Sequence, residues 1–187
     1  VKLFRWGIAA VATGMSVLAM LPGTAQAEPT ASVSVKPTCA FREITGSGNL
    51  SNAPESRKAG QNLVTYTTVR NAEPAPLSGV FFDYQMAAPS NHKGAAPTVW
   101  WKFNGGSWHH MIMTWYPATK ASTAQWEGGD GVLGNLPGNT TRTLEMTVDY
   151  PSGATRGFYA GTVLAGAKSC ESQLLGAFPV STAYEPR

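Results

Sequence analysis

Apolar and polar residues alternate with period two along several short stretches of the chain. The alternation is cleanest from Thr143 to Tyr150, where Leu144, Met146, Val148 and Tyr150 interleave with Thr143, Glu145, Thr147 and Asp149. Successive strand side chains point to opposite faces, so this stretch predicts a strand with one buried face. The turn signal Pro151-Ser152-Gly153-Ala154 follows it, and Gly157 to Ala165 reads as a second strand, the two together predicting a hairpin. Asn62 to Val69 and Val80 to Met86 are further strands, separated by Glu73-Pro74-Ala75-Pro76, whose prolines make poor ladder donors. Shorter candidates are Ala31 to Lys36, Phe41 to Thr45, Gly131 to Leu136 and Gly176 to Ser181.

The aromatic centre of the chain predicts another hairpin. Thr98 to Phe103 and Trp108 to Tyr116 flank Asn104-Gly105-Gly106-Ser107, and glycines supply the positive φ values of tight turns. A two-residue Gly105-Gly106 loop places Val99, Trp101 and Phe103 on a core face with Trp108, His110 and Ile112. Trp100, Lys102, His109, Met111, Met113 and Trp115 then share the opposite, partly exposed face. The polar stretches Gly46 to Gly60 and Ala87 to Pro97 read as loops. About nine or ten short strands without crossover helices predict an antiparallel β-sandwich rather than a parallel α/β sheet.

Composition agrees. The chain is 43% apolar and 13% charged, which excludes a disordered charged tail, and its 20 Gly and 13 Pro disfavour long helices. The first 27 residues have a different character. Lys2 and Arg5 precede an uncharged apolar run from Trp6 to Leu21; Pro22-Gly23 breaks it, and Ala25-Gln26-Ala27 has the small-x-small pattern of a signal peptidase site. The expectation is a signal-peptide helix over residues 1–27, cleaved after Ala27, then a single domain over residues 28–187, secreted and free of the membrane. The leader carries two of the fourteen basic residues and none of the eleven acidic ones, leaving twelve against eleven. A nearly neutral remainder, with no basic cluster among aromatics, argues against nucleic acid as a partner.

Cys39 and Cys170 are the whole thiol supply. In an oxidising compartment an isolated pair predicts a disulfide, closing a loop of about 130 residues for close to 5 kcal/mol in the chain-entropy model.

The run from Leu133 through Pro137-Gly138 to Val148, followed by Tyr150-Pro151-Ser152-Gly153 and Tyr159-Ala160-Gly161-Thr162-Val163, resembles the last strands of immunoglobulin-like domains in secreted and surface proteins of high-GC Gram-positive bacteria. Val69-Arg70-Asn71 before Leu77-Ser78-Gly79-Val80 is similar to the segment with which such domains pair two earlier strands. Trp101 to Trp108 is similar to their central hairpin. The resemblance implies an immunoglobulin-like β-sandwich and is nearly silent on function. Asn71, Leu77, Gly79, Cys39 and Cys170 also resemble the pattern of bacterial cellulose-binding modules, which stack surface tryptophans on sugar rings; those modules usually carry a tryptophan where Val80-Phe81-Phe82 stands here.

Candidate chemistry is sparse. His109 and His110 adjoin on a strand and so face opposite ways, His110 is expected in the core and His92 in solvent, and no His/Cys/Asp spacing predicts a metal site. Glu127 and Asp130 are the best carboxylate pair, read as solvated acids in a Gly-rich loop. No catalytic set and no cofactor motif emerge. Five of the six tryptophans lie between Trp100 and Trp126, and Trp100, Trp115 and Trp126 are the candidates for an exposed binding patch. The expected function is non-enzymatic contact with an extracellular protein or polysaccharide, the alternative a carbohydrate-binding module using exposed tryptophans.

Overall fold

A computed structural model describes residues 35–48, 56–61 and 64–184. Ala25 and Ala27, with the rest of the expected leader, lie outside these residues. Residues 35–184, where described, belong to one compact unit. Among them there is no α-helix. In chain order the strands are β1 (Ile44–Ser47), β2 (Ser56–Arg57), β3 (Val64–Asn71), β4 (Leu77–Ala87), β5 (Thr98–Phe103) and β6 (His109–Met111). They continue with β7 (Thr114–Tyr116), β8 (Gln125–Leu136), β9 (Thr141–Asp149), β10 (Gly157–Ala167), β11 (Leu174–Pro179) and β12 (Thr182–Tyr184).

The strands form two sheets, antiparallel throughout except for the two-residue pairing of β2 with β12. One sheet has the order β1-β3-β9-β5-β6; the other runs β2-β12-β10-β4-β8-β7, with β11 also paired to β10. The expected β-sandwich is therefore the fold. Its core is built by the alternation that the sequence shows: Leu144, Met146 and Val148 of β9 face inward with Val80, Phe82, Tyr84 and Met86 of β4. Each such side chain contributes about 1.5–3 kcal/mol by leaving water. Phe82 meets Trp101 edge to face at 5.2 Å between ring centroids, a geometry that the ring quadrupoles favour.

Three expected pairings are different in the structure. β9 and β10 lie in opposite sheets rather than in one hairpin. Each has one apolar face, and placing the two in facing layers buries both faces at once. Tyr150, at the crossing, stacks on Tyr159 and Tyr184, and its hydroxyl is bonded to Thr182. β3 and β4 also fall in opposite sheets. Asn71 organises that crossing from a fully buried position. Its amide donates to the carbonyls of Ala75 (2.8 Å) and Leu136 (3.2 Å), and its carbonyl accepts the Glu73 N–H (3.0 Å). The polar group is satisfied by backbone of the proline loop, at Glu73 and Ala75, and of the end of β8, at Leu136.

The third correction is one of register. The turn of the β5–β6 hairpin falls on Asn104-Gly105, both at positive φ (50° and 76°), and Gly106 donates its N–H to Phe103. Trp101 therefore pairs with His109 and Val99 with Met111, one residue away from the expected partners. A one-residue slip exchanges the faces of the whole arm. Met111 is buried in the core, whereas Trp108, His110 and Ile112, expected there, are exposed. The expected strand from Trp108 to Tyr116 is also split: β6 belongs to one sheet and β7 to the other, with Ile112-Met113 crossing between them.

Cys39 and Cys170 form the expected disulfide, with Cα atoms 5.3 Å apart. It ties the segment before β1 to the 3-10 turn Lys168–Cys170 that follows β10. Measured contributions of long-loop bridges are usually 2–4 kcal/mol. Reduction, or the Cys39→Ser/Cys170→Ser double variant, is expected to lower Tm by on the order of 10 °C, read by circular dichroism. An unchanged Tm would show that the bridge adds nothing to the fold.

Candidate functional site

The outer face of the five-stranded sheet carries one candidate surface. Along β5, Thr98, Trp100 and Lys102 point away from the core, because Val99 and Trp101 point into it. The register places Lys102 beside Glu145 of β9, and Glu145 beside Tyr66 of β3. Trp100 lies between Thr147 of β9 and His110 of β6. Trp100 is 40% exposed, Trp108 39% and Tyr66 63%. Lys102 fixes part of this face: its ammonium is 3.0 Å from a Glu145 carboxylate oxygen and 5.0 Å from the centre of the Trp108 ring. The Trp100 ring packs on His110 at 4.9 Å. Three aromatic side chains thus share this face with the Lys102–Glu145 ion pair, and the half-buried Thr98 lies at the start of the same strand face. At roughly 4.8 Å per strand, Tyr66 and Trp100 stand about 10 Å apart across the sheet.

A trough of about 550 Å³ opens beside this face, where β6 of one sheet and β7–β8 of the other adjoin. Its aromatic wall is Trp101, which is covered by His109 in a near-parallel stack with centroids 4.6 Å apart. Across from it, Asp83 and Gln85 of β4, Glu127 of β8, and Thr114 and Tyr116 of β7 supply polar groups. Glu127 accepts hydrogen bonds from the amides of Gln85 (3.3 Å) and Gln125. β7 pairs with β8 only through Glu127, so Gly128 and Gly129 line the trough with no strand paired on that side among the described residues. Glycine is required by close packing here. A Cβ on Gly128 would stand 2.4 Å from the Met111 side chain, and one on Gly131 2.1 Å from the Phe82 ring. The segment Trp126–Gly131, expected as a loop, is therefore part of a strand that two neighbouring side chains overlie.

The three tryptophans expected to form one patch are separated. Trp100 is exposed on the five-stranded sheet; Trp115 and Trp126 pair across β7 and β8 in the other, their rings 5.2 Å apart. Trp126 is only 3% exposed and belongs to the core, so it corrects the expected patch. The exposed ring beside Trp100 is Trp108, which the expected register had placed inside. Tyr66, Asp83 and Gln85 were not singled out in the sequence, although each is the polar or amphipathic member of an alternating strand. His109 and His110 do face opposite ways, toward Trp101 and Trp100 respectively, and His92 is exposed. Near the disulfide, Cys39, Glu43 and Cys170 bring possible ligand atoms within 4.8 Å of one another, but both sulfurs are consumed in the bridge. Buried Glu43 instead orders its own loop, accepting hydrogen bonds from the Thr38 hydroxyl and from the Ala40 N–H at 2.9 Å.

No protein-family model matches the chain, and no curated protein matches it significantly. Among solved structures it is similar to AvmM, which catalyzes macrocyclization in alchivemycin A biosynthesis. The TM-score is 0.58 at 10% identity, over 81% of this chain and 95% of that one. A family 123 glycoside hydrolase from Clostridium perfringens matches at TM-score 0.43 and 15% identity, over 71% of this chain and 22% of the hydrolase. The ASH/PapD-like domain of human CEP192 matches at TM-score 0.35 and 14% identity, over 94% and 98% of the two chains. At such identities the first likeness shows a shared fold and carries no chemistry across, and the other two are too low in TM-score to carry any argument.

The burial difference between the rings is directly measurable. Trp126→Ala is expected to cost about 3–5 kcal/mol in urea unfolding, the usual price of emptying an aromatic core site. Trp108→Ala should cost about 1 kcal/mol, since much of its area already faces water. Equal losses at the two positions would contradict the register.

Proposed function

We propose that this protein is an exported, non-enzymatic binding domain that holds a polysaccharide against the outer face of its five-stranded sheet. The observation that carries the reading is the exposure of Trp100, Trp108 and Tyr66 on one face, with the Lys102–Glu145 pair among them. A sugar ring offers apolar C–H faces and an equatorial rim of hydroxyls, so aromatic planes interspersed with polar groups suit it on both counts. Export is supported by the leader pattern of residues 1–27 and by the disulfide, which persists where thiols are oxidised. The immunoglobulin-like resemblance is part of the same reading and names no ligand.

A second reading, a protein partner, is favoured by one residue. Ile112 is 77% exposed beside the same face, and an exposed branched aliphatic side chain is an anchor for a protein interface rather than for a sugar.

Retention on insoluble polysaccharides such as cellulose, chitin and cell-wall glycan separates the two. The protein is expected to be retained on at least one of them. Trp100→Ala and Trp108→Ala should each weaken retention about tenfold, or roughly 1.4 kcal/mol, with the fold intact by circular dichroism. Ile112→Ala should leave it unchanged. Absence of retention on all of them, or retention indifferent to both tryptophan substitutions, would remove the glycan reading.

A further inference from the structure

We propose that Asn104 is a self-modification site, at which the Gly105 backbone nitrogen displaces the side-chain amide, and that the isoaspartyl turn so formed releases β6 from the five-stranded sheet. The proposal goes beyond the glycan reading and does not rest on it. The dipeptide Asn-Gly occurs once in the 187 residues, at Asn104-Gly105, where it makes the turn between β5 and β6. Both residues are exposed and both have positive φ.

The backbone bonds of the turn leave the two reacting groups unengaged. The Asn104 N–H donates to the Thr143 carbonyl and the Gly106 N–H to that of Phe103. Among the described residues, no hydrogen bond reaches the Asn104 side chain or the Gly105 N–H. Gly105 has no side chain to shield its nitrogen, and even a Cβ there would meet nothing within 4 Å. Other asparagines are held or hindered. Both ends of the Asn71 amide are bonded, and the Asn135 side-chain carbonyl accepts the Gly79 N–H. Asn139 precedes the β-branched Thr140 and Asn91 precedes His92, side chains that crowd the attacking nitrogen.

The reaction needs water and hydroxide alone. Hydroxide takes the Gly105 N–H proton, the nitrogen bonds to Asn104 Cγ, and the Cγ–Nδ2 bond breaks. The departing nitrogen takes up a proton and leaves as ammonia, closing a five-membered succinimide. Water then opens the ring. Attack at Cγ gives aspartate, whereas attack at the backbone carbonyl routes the chain through Cβ and Cγ as isoaspartate. Closing the ring draws the Gly105 nitrogen onto Cγ, so the turn must open first. β6 permits this, because it is an edge strand held by three pairs, Val99 with Met111, Trp100 with His110 and Trp101 with His109. Isoaspartate adds one atom to the backbone of the turn and places a negative charge two residues from Lys102. The lengthened turn no longer imposes the pairing of Trp101 with His109. Trp108 then leaves Lys102, and His110 leaves Trp100. The aromatic face therefore ages at one residue.

The test is to age the purified protein in mildly alkaline buffer and to follow its peptides by mass spectrometry. The mass shift of an amide becoming an acid locates the site, and electron-transfer fragmentation separates aspartate from isoaspartate. Asn104 is expected to convert about tenfold or more faster than Asn71, Asn91, Asn135 or Asn139, with isoaspartate the main product. In the isoaspartyl fraction, hydrogen exchange across β6 should quicken about tenfold or more while β9 stays protected. Asn104→Asp, which carries the charge without the extra backbone atom, should keep β6 protected. Asn104→Gly should keep the turn and show neither the mass shift nor the loss of protection. Conversion at Asn104 no faster than at Asn91 or Asn139 would overturn the site. Isoaspartate at Asn104 with β6 still protected would overturn its link to the aromatic face, as would an equal loss of protection in Asn104→Asp.

Discussion

The pairing of Trp101 with His109 is the constraint on which the candidate surfaces depend. It follows from a turn in which Asn104 and Gly105 both take positive φ, a conformation that asparagine and glycine tolerate better than other residues. β5 takes its faces from its pairing with β9, and side chains alternate along the short β6 arm, so the position of that turn assigns the rings on the β6 side of it. Trp101 and Met111 go to the core; Trp100, Trp108 and His110 go to the surface. A turn one residue later would bury Trp108 and turn Met111 out to solvent, leaving no aromatic face of this composition.

The sandwich holds this arrangement by linking the sheets at several points. Ile112-Met113 carries the chain from β6 to β7 and so sets the two edges between which the trough opens. The sulfur-bearing side chains of Met111 and Met113 lie over Gly128, where glycine lets them approach the strand. At the opposite crossings, Asn71 and the Tyr150-Tyr159-Tyr184 stack replace missing ladder bonds with side-chain contacts. Burying an asparagine is costly unless its hydrogen bonds are made, and here both ends of its amide are bonded.

The fold class was legible because alternation is a local property. Leu144, Met146 and Val148 announce a one-sided strand without reference to anything outside it, and the disulfide follows from there being two cysteines and no more. What was not legible depends on distance. Alternation is the same whether β9 lies beside β10 or across the core from it, so sheet membership could not be read from either strand. The aromatic hairpin offered two glycines and an asparagine in succession, and more than one choice of turn satisfies their φ preferences. Trp126 has the composition of a surface ring when read beside Glu127 and Gly128, but its strand faces inward. The trough was hidden for a related reason: Asp83, Gln85 and Glu127 each look like the solvent side of a strand, and they converge only because β4 and β8 are neighbours.

Oxidation of tryptophans under native conditions, followed by mass spectrometry of the peptides, tests the central register directly. Limited N-bromosuccinimide treatment should modify Trp100 and Trp108 first and leave Trp101 and Trp126 intact until the protein unfolds. Early modification of Trp100 with protection of both Trp108 and Trp101 would place the turn one residue later and contradict the account of the aromatic face and of the trough beside it.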